Sequence, residues 1–235
     1  MSGAKGKQPN RSKSVIPAKE LNPAIEYALL IVFALFVVLF TTFKITGDDD
    51  VFWHLATGRY IIETGHVPST DIFGFVTQGQ EWMPFEWGWD IITYGLYNLG
   101  GYEALSIFRT LIFLSIFWIY YSALRKFKVP AVLTVAFMIL FAFGIMDRLT
   151  PRPHAASLLF MASLVYIFCD YRYFRRGSGK LIYILPAIFL LWANIHMGII
   201  AGLFLFAVYL TAEYINYYNR KSSVQPLESR QLRLL

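Results

Sequence analysis

The chain contains one cysteine, Cys169, so no disulfide can form within it. Charge is also scarce: Asp, Glu, Lys and Arg make up 15% of 235 residues, against about a quarter in a soluble domain. No Gly-rich phosphate loop occurs on the basic side of the chain. No nucleophile elbow and no Cys/His zinc spacing occurs anywhere. These gaps exclude P-loop nucleotide chemistry, an α/β-hydrolase serine and a structural zinc module. What the sequence has in excess is apolar character, at 57% hydrophobic residues and 18% aromatic ones.

The apolar residues come in long runs. A bilayer span takes about 20 mostly apolar residues. Ala24–Thr46, Glu103–Leu124, Val129–Met146 and Ala155–Tyr173 meet that need. Leu181–Tyr217 is too long for one ordinary span and slightly short for two. Asn194-Ile195-His196-Met197-Gly198 breaks its apolar pattern, so two short spans are expected, with a re-entrant pair as the variant. The expected fold is an all-α polytopic membrane protein of about six transmembrane helices. The first run is too long for the core of a cleaved signal and no small-residue cleavage site follows it, so it reads as a signal-anchor.

Basic residues near span ends mark the cytoplasmic side. Lys5, Lys7, Arg11, Lys13 and Lys19 precede the first run. Arg125, Lys126 and Lys128 follow the second, and Arg172, Arg175, Arg176 and Lys180 follow the fourth. Arg220, Lys221, Arg230 and Arg233 close the chain. Six alternating spans put these 16 of the 21 basic residues on one side. The expected organisation is a cytoplasmic basic tail over residues 1–23, a transmembrane domain over 24–217 and a cytoplasmic tail over 218–235, in the cell membrane. The net charge of +6 then suits anionic lipid headgroups and gives no reason to expect nucleic acid.

The long outer loop, 47–102, is acidic. Asp48, Asp49, Asp50, Glu63, Asp71, Glu81, Glu86 and Asp90 face a lone Arg59, and four of the six tryptophans are here. Disordered segments lack aromatics, so the loop is expected to be ordered. Val51–Glu63 reads as a helix with Asp50 and His54 one turn apart. His66–Asp71 has turn chemistry. Trp87–Leu99 is apolar and aromatic, with Trp87, Trp89, Tyr94 and Tyr97 suited to the headgroup layer, and is expected to lie there before the chain re-enters at Glu103.

Four segments meet on the outer side in this topology: Asp48-Asp49-Asp50, Glu86, the stretch from Asp147 to His154, and Asn194-Ile195-His196. A carboxylate can take a proton from a hydroxyl nucleophile, which makes Asp50 and Asp48 the candidate bases. Arginine forks hold phosphate. Arg148 and Arg152, with Arg109 inside the second span, are the candidate phosphate ligands, and Arg59 adds counter-charge. His54, His154 and His196 complete the cluster. Asp48, Asp50, His54 and His196 could also ligate a divalent metal ion, although Asp-x-Asp-x-x-x-His is no strong metal signature. The bland alternative is that these arginines and acids pair only to hold the fold.

The stretch Asp48-Asp49-Asp50-Val51-Phe52-Trp53-His54-Leu55-Ala56-Thr57-Gly58-Arg59 resembles the first outer loop of a group of bacterial and archaeal membrane proteins placed with the GT-C glycosyltransferases. The resemblance continues through His66–Phe75, Glu86-Trp87 and Arg152-Pro153-His154 to Leu191–Gly198. It implies a polytopic enzyme that takes sugar from a polyprenyl-phosphate donor on the non-cytoplasmic face. It further implies that Asp48 and Asp50 are the paired acids. GT-C enzymes usually have more spans than six, so a partner subunit or a missing C-terminal half is expected. Two other functions are open: a non-catalytic subunit that binds lipid-linked glycan, and a small transporter, suggested by the broken segment at Asn194–Gly198.

Overall fold

The computed structural model describes residues 21–42, 49–148, 150–175 and 178–219. Among these residues seven α-helices follow in order: α1 Pro23–Thr42, α2 Asp50–Thr64, α3 Trp87–Lys126, α4 Ala131–Gly144, α5 Pro153–Cys169, α6 Leu185–Ile195 and α7 Ile199–Tyr218. No β-strand is found among the described residues; Thr70 and Glu81 form an isolated antiparallel bridge across the loop before α3.

Local chemistry sets the boundaries. The Asn22 side chain accepts from the Ala24 N–H at 3.0 Å, ahead of α1, and satisfies one of the open donors of a first turn. Gly65 ends α2 in the left-handed region, φ 76°, with its N–H bonded to the Ile61 carbonyl. Pro153 opens α5 after an extended Arg152. The expected break after Asn194 occurs: α6 stops at Ile195, His196 is extended and α7 begins at Ile199.

Among the described residues, four helical segments are long and apolar enough to cross a bilayer: Pro23–Thr41, Trp87–Lys126, Pro153–Phe174 and Ile199–Tyr218. The chain is therefore consistent with a helical membrane protein. Ala131–Gly144 and Lys180–Ile195 are apolar but shorter. The run Val129–Met146 loses length at both ends, because Pro130 precedes the helix and Gly144 is its last residue. Fourteen residues rise about 21 Å, less than the roughly 30 Å of hydrocarbon.

Trp87–Leu99 is helical and forms the first arm of α3, which bends at Gly100–Gly101. Gly101 has φ 63°, a conformation that costs a residue with Cβ. The arm packs against α2. Trp89 is 2% exposed and its ring sits 5.7 Å from that of Phe108. At Gly58 of α2 any Cβ would collide with the Asp90 carbonyl, so glycine sets the close approach of α2 to α3.

Named contacts fix how the helices run. Arg125 near the end of α3 pairs with Glu26 near the start of α1 at 2.9 Å, and Tyr121 donates to the same carboxylate at 2.8 Å. Thr41 and Thr110 hydroxyls meet at 2.7 Å further along, so α1 and α3 are antiparallel. Lys126 reaches Asp170, just past α5, at 3.6 Å. Arg172 and Glu213 form a buried pair at 3.0 Å.

Two cores result. One joins α1, α3, α4 and α5 around Phe33, Val37, Phe113, Ile116, Phe117, Met138 and Ala155. The other joins α5, α6 and α7 around Leu164, Phe168, Leu185 and Trp192. Basic residues collect at the end of α5 that carries Asp170. The acids and histidines collect at the end that carries Arg152, about 25 Å away over 17 residues.

Candidate functional site

The start of α2, the N-terminus of α3, the N-terminus of α5 and the break between α6 and α7 meet at one end of the bundle. Arg152, immediately before α5, donates from Nη1 to Asp50 Oδ2 at 2.8 Å. Both side chains are nearly half exposed, at 41% and 47%. This joins two of the expected segments directly.

Glu86 precedes α3 and stands between two histidines. His54 Nε2 is 3.9 Å from Glu86 Oε2, and His196 Nε2 is 3.5 Å from Glu86 Oε1. Burial pushes the Glu86 carboxyl above its ordinary range. His54 opposes that shift, the Asp90 and Asp50 carboxylates add to it, and Arg152 opposes it weakly. Burial also lowers His196, with His154 adding to the effect. Glu86 therefore keeps its proton to a higher pH than an ordinary carboxylate, and His196 stays neutral to a lower pH than an ordinary histidine.

Each histidine is oriented from its far side. His54 is buried, and its Nδ1 lies 2.6 Å from Asp90 Oδ1. With Asp90 ionised, Nδ1 donates and Nε2 is left as an acceptor facing Glu86. His196 is arranged the other way round. Its Nδ1 accepts from the Gly198 backbone N–H at 2.9 Å and lies 2.7 Å from Ser157 Oγ. A backbone N–H can only donate, so Nδ1 carries no proton and Nε2–H points at Glu86. Trp192 Nε1–H donates to Ser157 Oγ at 2.6 Å, so the serine hydrogen goes to His196.

Two histidines and one carboxylate suggest a metal, but the tautomers disagree with it. A metal-binding Nε2 must be unprotonated, and its ring usually donates from Nδ1. His54 meets that condition; His196 does not. No group of three or more His, Cys, Asp or Glu side chains among the described residues is arranged to hold a metal ion. Asp50 and His54, expected as joint ligands, turn to Arg152 and Asp90 instead. Asp48 lies outside the described residues.

Other expected site residues make other contacts. Arg59 pairs with Glu63 one turn along on an exposed face, at 2.8 Å. Arg109 is 1% exposed, enclosed in the bundle rather than presented at its surface. Arg148 is exposed. Its carbonyl meets His154 Nε2 at 2.8 Å, which closes the turn before α5. Asn194 donates from Nδ2 to the Leu190 carbonyl of its own helix at 2.7 Å. The arrangement thus gathers Asp50, His54, Glu86, Arg152 and His196.

Sequence reasoning missed Asp90, Ser157 and Trp192 as site residues. Asp90 had a visible signal, an acid inside an apolar aromatic stretch, which is costly unless paired. Ser157 and Trp192 carried none, because a serine and a tryptophan in apolar runs are ordinary.

Comparison with protein-family models, with curated proteins and with solved structures finds no match to this chain. Function is therefore argued from the cluster itself.

Proposed function

We propose that this chain is a GT-C-like membrane protein that transfers a sugar from a polyprenyl-phosphate donor to an acceptor on the non-cytoplasmic face. The observation that carries the reading is the Asp50–Arg152 pair beside the half-buried Glu86. A guanidinium that can hold phosphate and a carboxylate that can take a hydroxyl proton stand in contact, at the end of the bundle away from the basic cluster.

The pair suggests an order of events. Donor phosphate competes with Asp50 for the Arg152 fork. Engagement of phosphate releases Asp50, which is then a free carboxylate next to the acceptor hydroxyl. Glu86, with His196 Nε2–H on one side and His54 Nε2 on the other, is placed to pass a proton. In this proposal the basic end is cytoplasmic, six helices serve as spans with the two shorter ones tilted little, and both tails are cytoplasmic. The charge separation along α5 supports that orientation.

The same pair favours a second reading. Asp50 and Arg152 already satisfy each other, so the site could bind lipid-linked glycan without turning it over. Purified protein in lipid, incubated with polyprenyl-phosphate sugars and followed by mass spectrometry, separates the two. Sugar loss from the donor supports transfer; stoichiometric retention of intact donor supports binding alone.

A further inference from the structure

A second polar cavity, of about 460 Å³, lies at the other end of α5. Lys126, Tyr166, Asp170, Arg175, Ser178, Gly179, Lys180 and Leu181 line it. We propose that it is a binding site for the phosphate headgroup of an anionic lipid.

Charge comes first. Three cations line the cavity against one carboxylate. Asp170 is buried, and its approaches to Lys126 and Arg175 are 3.6 Å and 3.8 Å, both longer than a hydrogen bond. Neither approach consumes a donor. Lys126 spends one N–H on the Tyr166 hydroxyl at 2.5 Å and has two more. Arg175 is mostly exposed, with a fork suited to a tetrahedral oxyanion.

Shape and place come second. The chain leaves α5 through a π-helical turn, Asp170–Phe174, a rare form that concentrates at functional sites. That turn sets the Asp170 side chain under the returning Gly179, whose Cβ, if present, would lie 2.9 Å from Oδ2. A bare phosphate ion would leave most of 460 Å³ unfilled, whereas small-molecule sites hold roughly 300–1,000 Å³. The cavity sits at the C-terminal ends of Trp87–Lys126 and Pro153–Phe174, two segments able to span a bilayer. Headgroups lie at that depth, and basic pockets between helix ends take acidic headgroups. Leu181 and the Tyr166 ring give an apolar side for the glycerol and chain.

The test uses the full chain in detergent, with native mass spectrometry counting retained lipid. Phosphatidylglycerol should be retained at one per chain and phosphatidylcholine should not. A Lys126→Gln/Arg175→Gln/Lys180→Gln variant should hold phosphatidylglycerol about tenfold more weakly or worse. A Lys5→Gln/Lys7→Gln/Lys13→Gln variant, matched in charge, should hold it as the wild type does. Asp170→Asn, which removes the competing carboxylate and keeps the cations, should hold it more tightly, a change no folding defect produces. Inorganic phosphate that displaces the lipid would point to a soluble phosphate as the natural ligand of the same donors; failure to displace it would point to the lipid. Equal retention by the wild type and the cavity variant, or equal loss from the tail variant, would overturn the proposal.

Discussion

The Gly198 backbone N–H donates to His196 Nδ1 at 2.9 Å, and this bond sets which nitrogen of the ring carries the proton. Ser157 supports the same tautomer from α5. Asparagine at 196 can offer its side-chain oxygen where Nδ1 stands; alanine cannot. His196→Ala should lose about 1 kcal/mol, the net worth of a hydrogen bond from this part-buried donor, and His196→Asn much less. Thermal unfolding of both variants in one detergent checks this, and equal losses would contradict the assigned role of Nδ1.

Asp90 holds His54 from within the bundle. The carboxylate is fully buried and its contact with Nδ1 is short. Asp90→Asn keeps the volume but removes the charge that favours a proton on Nδ1. The expected loss is about 1.5–3 kcal/mol, the range for hydrogen bonds to charged groups. A denaturation midpoint unchanged from the wild type would show that Asp90 is not the group orienting His54.

Glu86 and His196 predict opposite pH trends. The folded Glu86 binds its proton more tightly than the 4.5 of a free side chain. Its ionisation therefore works against folding, and stability is lost as pH rises from 4.5 through the raised value. Gln at 86 does not titrate. The stability of Glu86→Gln relative to wild type should rise as pH climbs past 4.5. The folded His196 lies below 6.5, so its contribution is complete above 6.5 and is lost as pH falls through the lower folded value. His196→Asn should therefore gain on the wild type as pH falls below 6.5. Parallel pH profiles for wild type and Glu86→Gln would contradict the burial of Glu86.

Orientation has its own test. In a Cys169→Ser background, single cysteines at Ser69 and Ser178 should differ in reaction with an impermeant thiol reagent on intact cells. Ser69 lies in the loop before α3, on the acidic side of the chain, and Ser178 lines the basic cavity. Labelling at Ser69→Cys alone is expected. Labelling at Ser178→Cys alone would invert the proposed topology.

Helix positions were largely readable from apolar runs, because a chain with this little charge has few other ways to be satisfied. α2 falls within a residue of the expected Val51–Glu63 at each end, and the break at Asn194–Gly198 falls where polar residues interrupt the run. The pairing of Asp50 with Arg152 joined two segments that the topology had already placed together. The destination of Trp87–Leu99 was hidden, since a tryptophan-rich amphipathic face suits a headgroup layer and a protein groove equally well. The close approach at Gly58 and the bend at Gly101 show that the arm packs on α2. The partners of Arg59 and Asn194 were hidden for a related reason: residue type does not reveal which way a helical side chain faces. Arg59 finds its partner four residues away, and Asn194 bonds its own helix.

The most direct measurement is sugar transfer per folded molecule for wild type and Asp50→Asn, with polyprenyl-phosphate sugar as donor. Asp50 and Arg152 are both well exposed, so breaking their pair should cost stability only about 0–1 kcal/mol. The variant should insert, unfold near the wild-type temperature and bind donor. Its turnover should fall by about 100-fold or more, the scale of general-base catalysis. Wild-type protein that consumes donor while Asp50→Asn does not is the predicted result. Turnover by folded Asp50→Asn equal to that of the wild type would contradict the catalytic role of Asp50, and no turnover by either, with donor bound by both, would leave a glycan-binding protein in place of an enzyme.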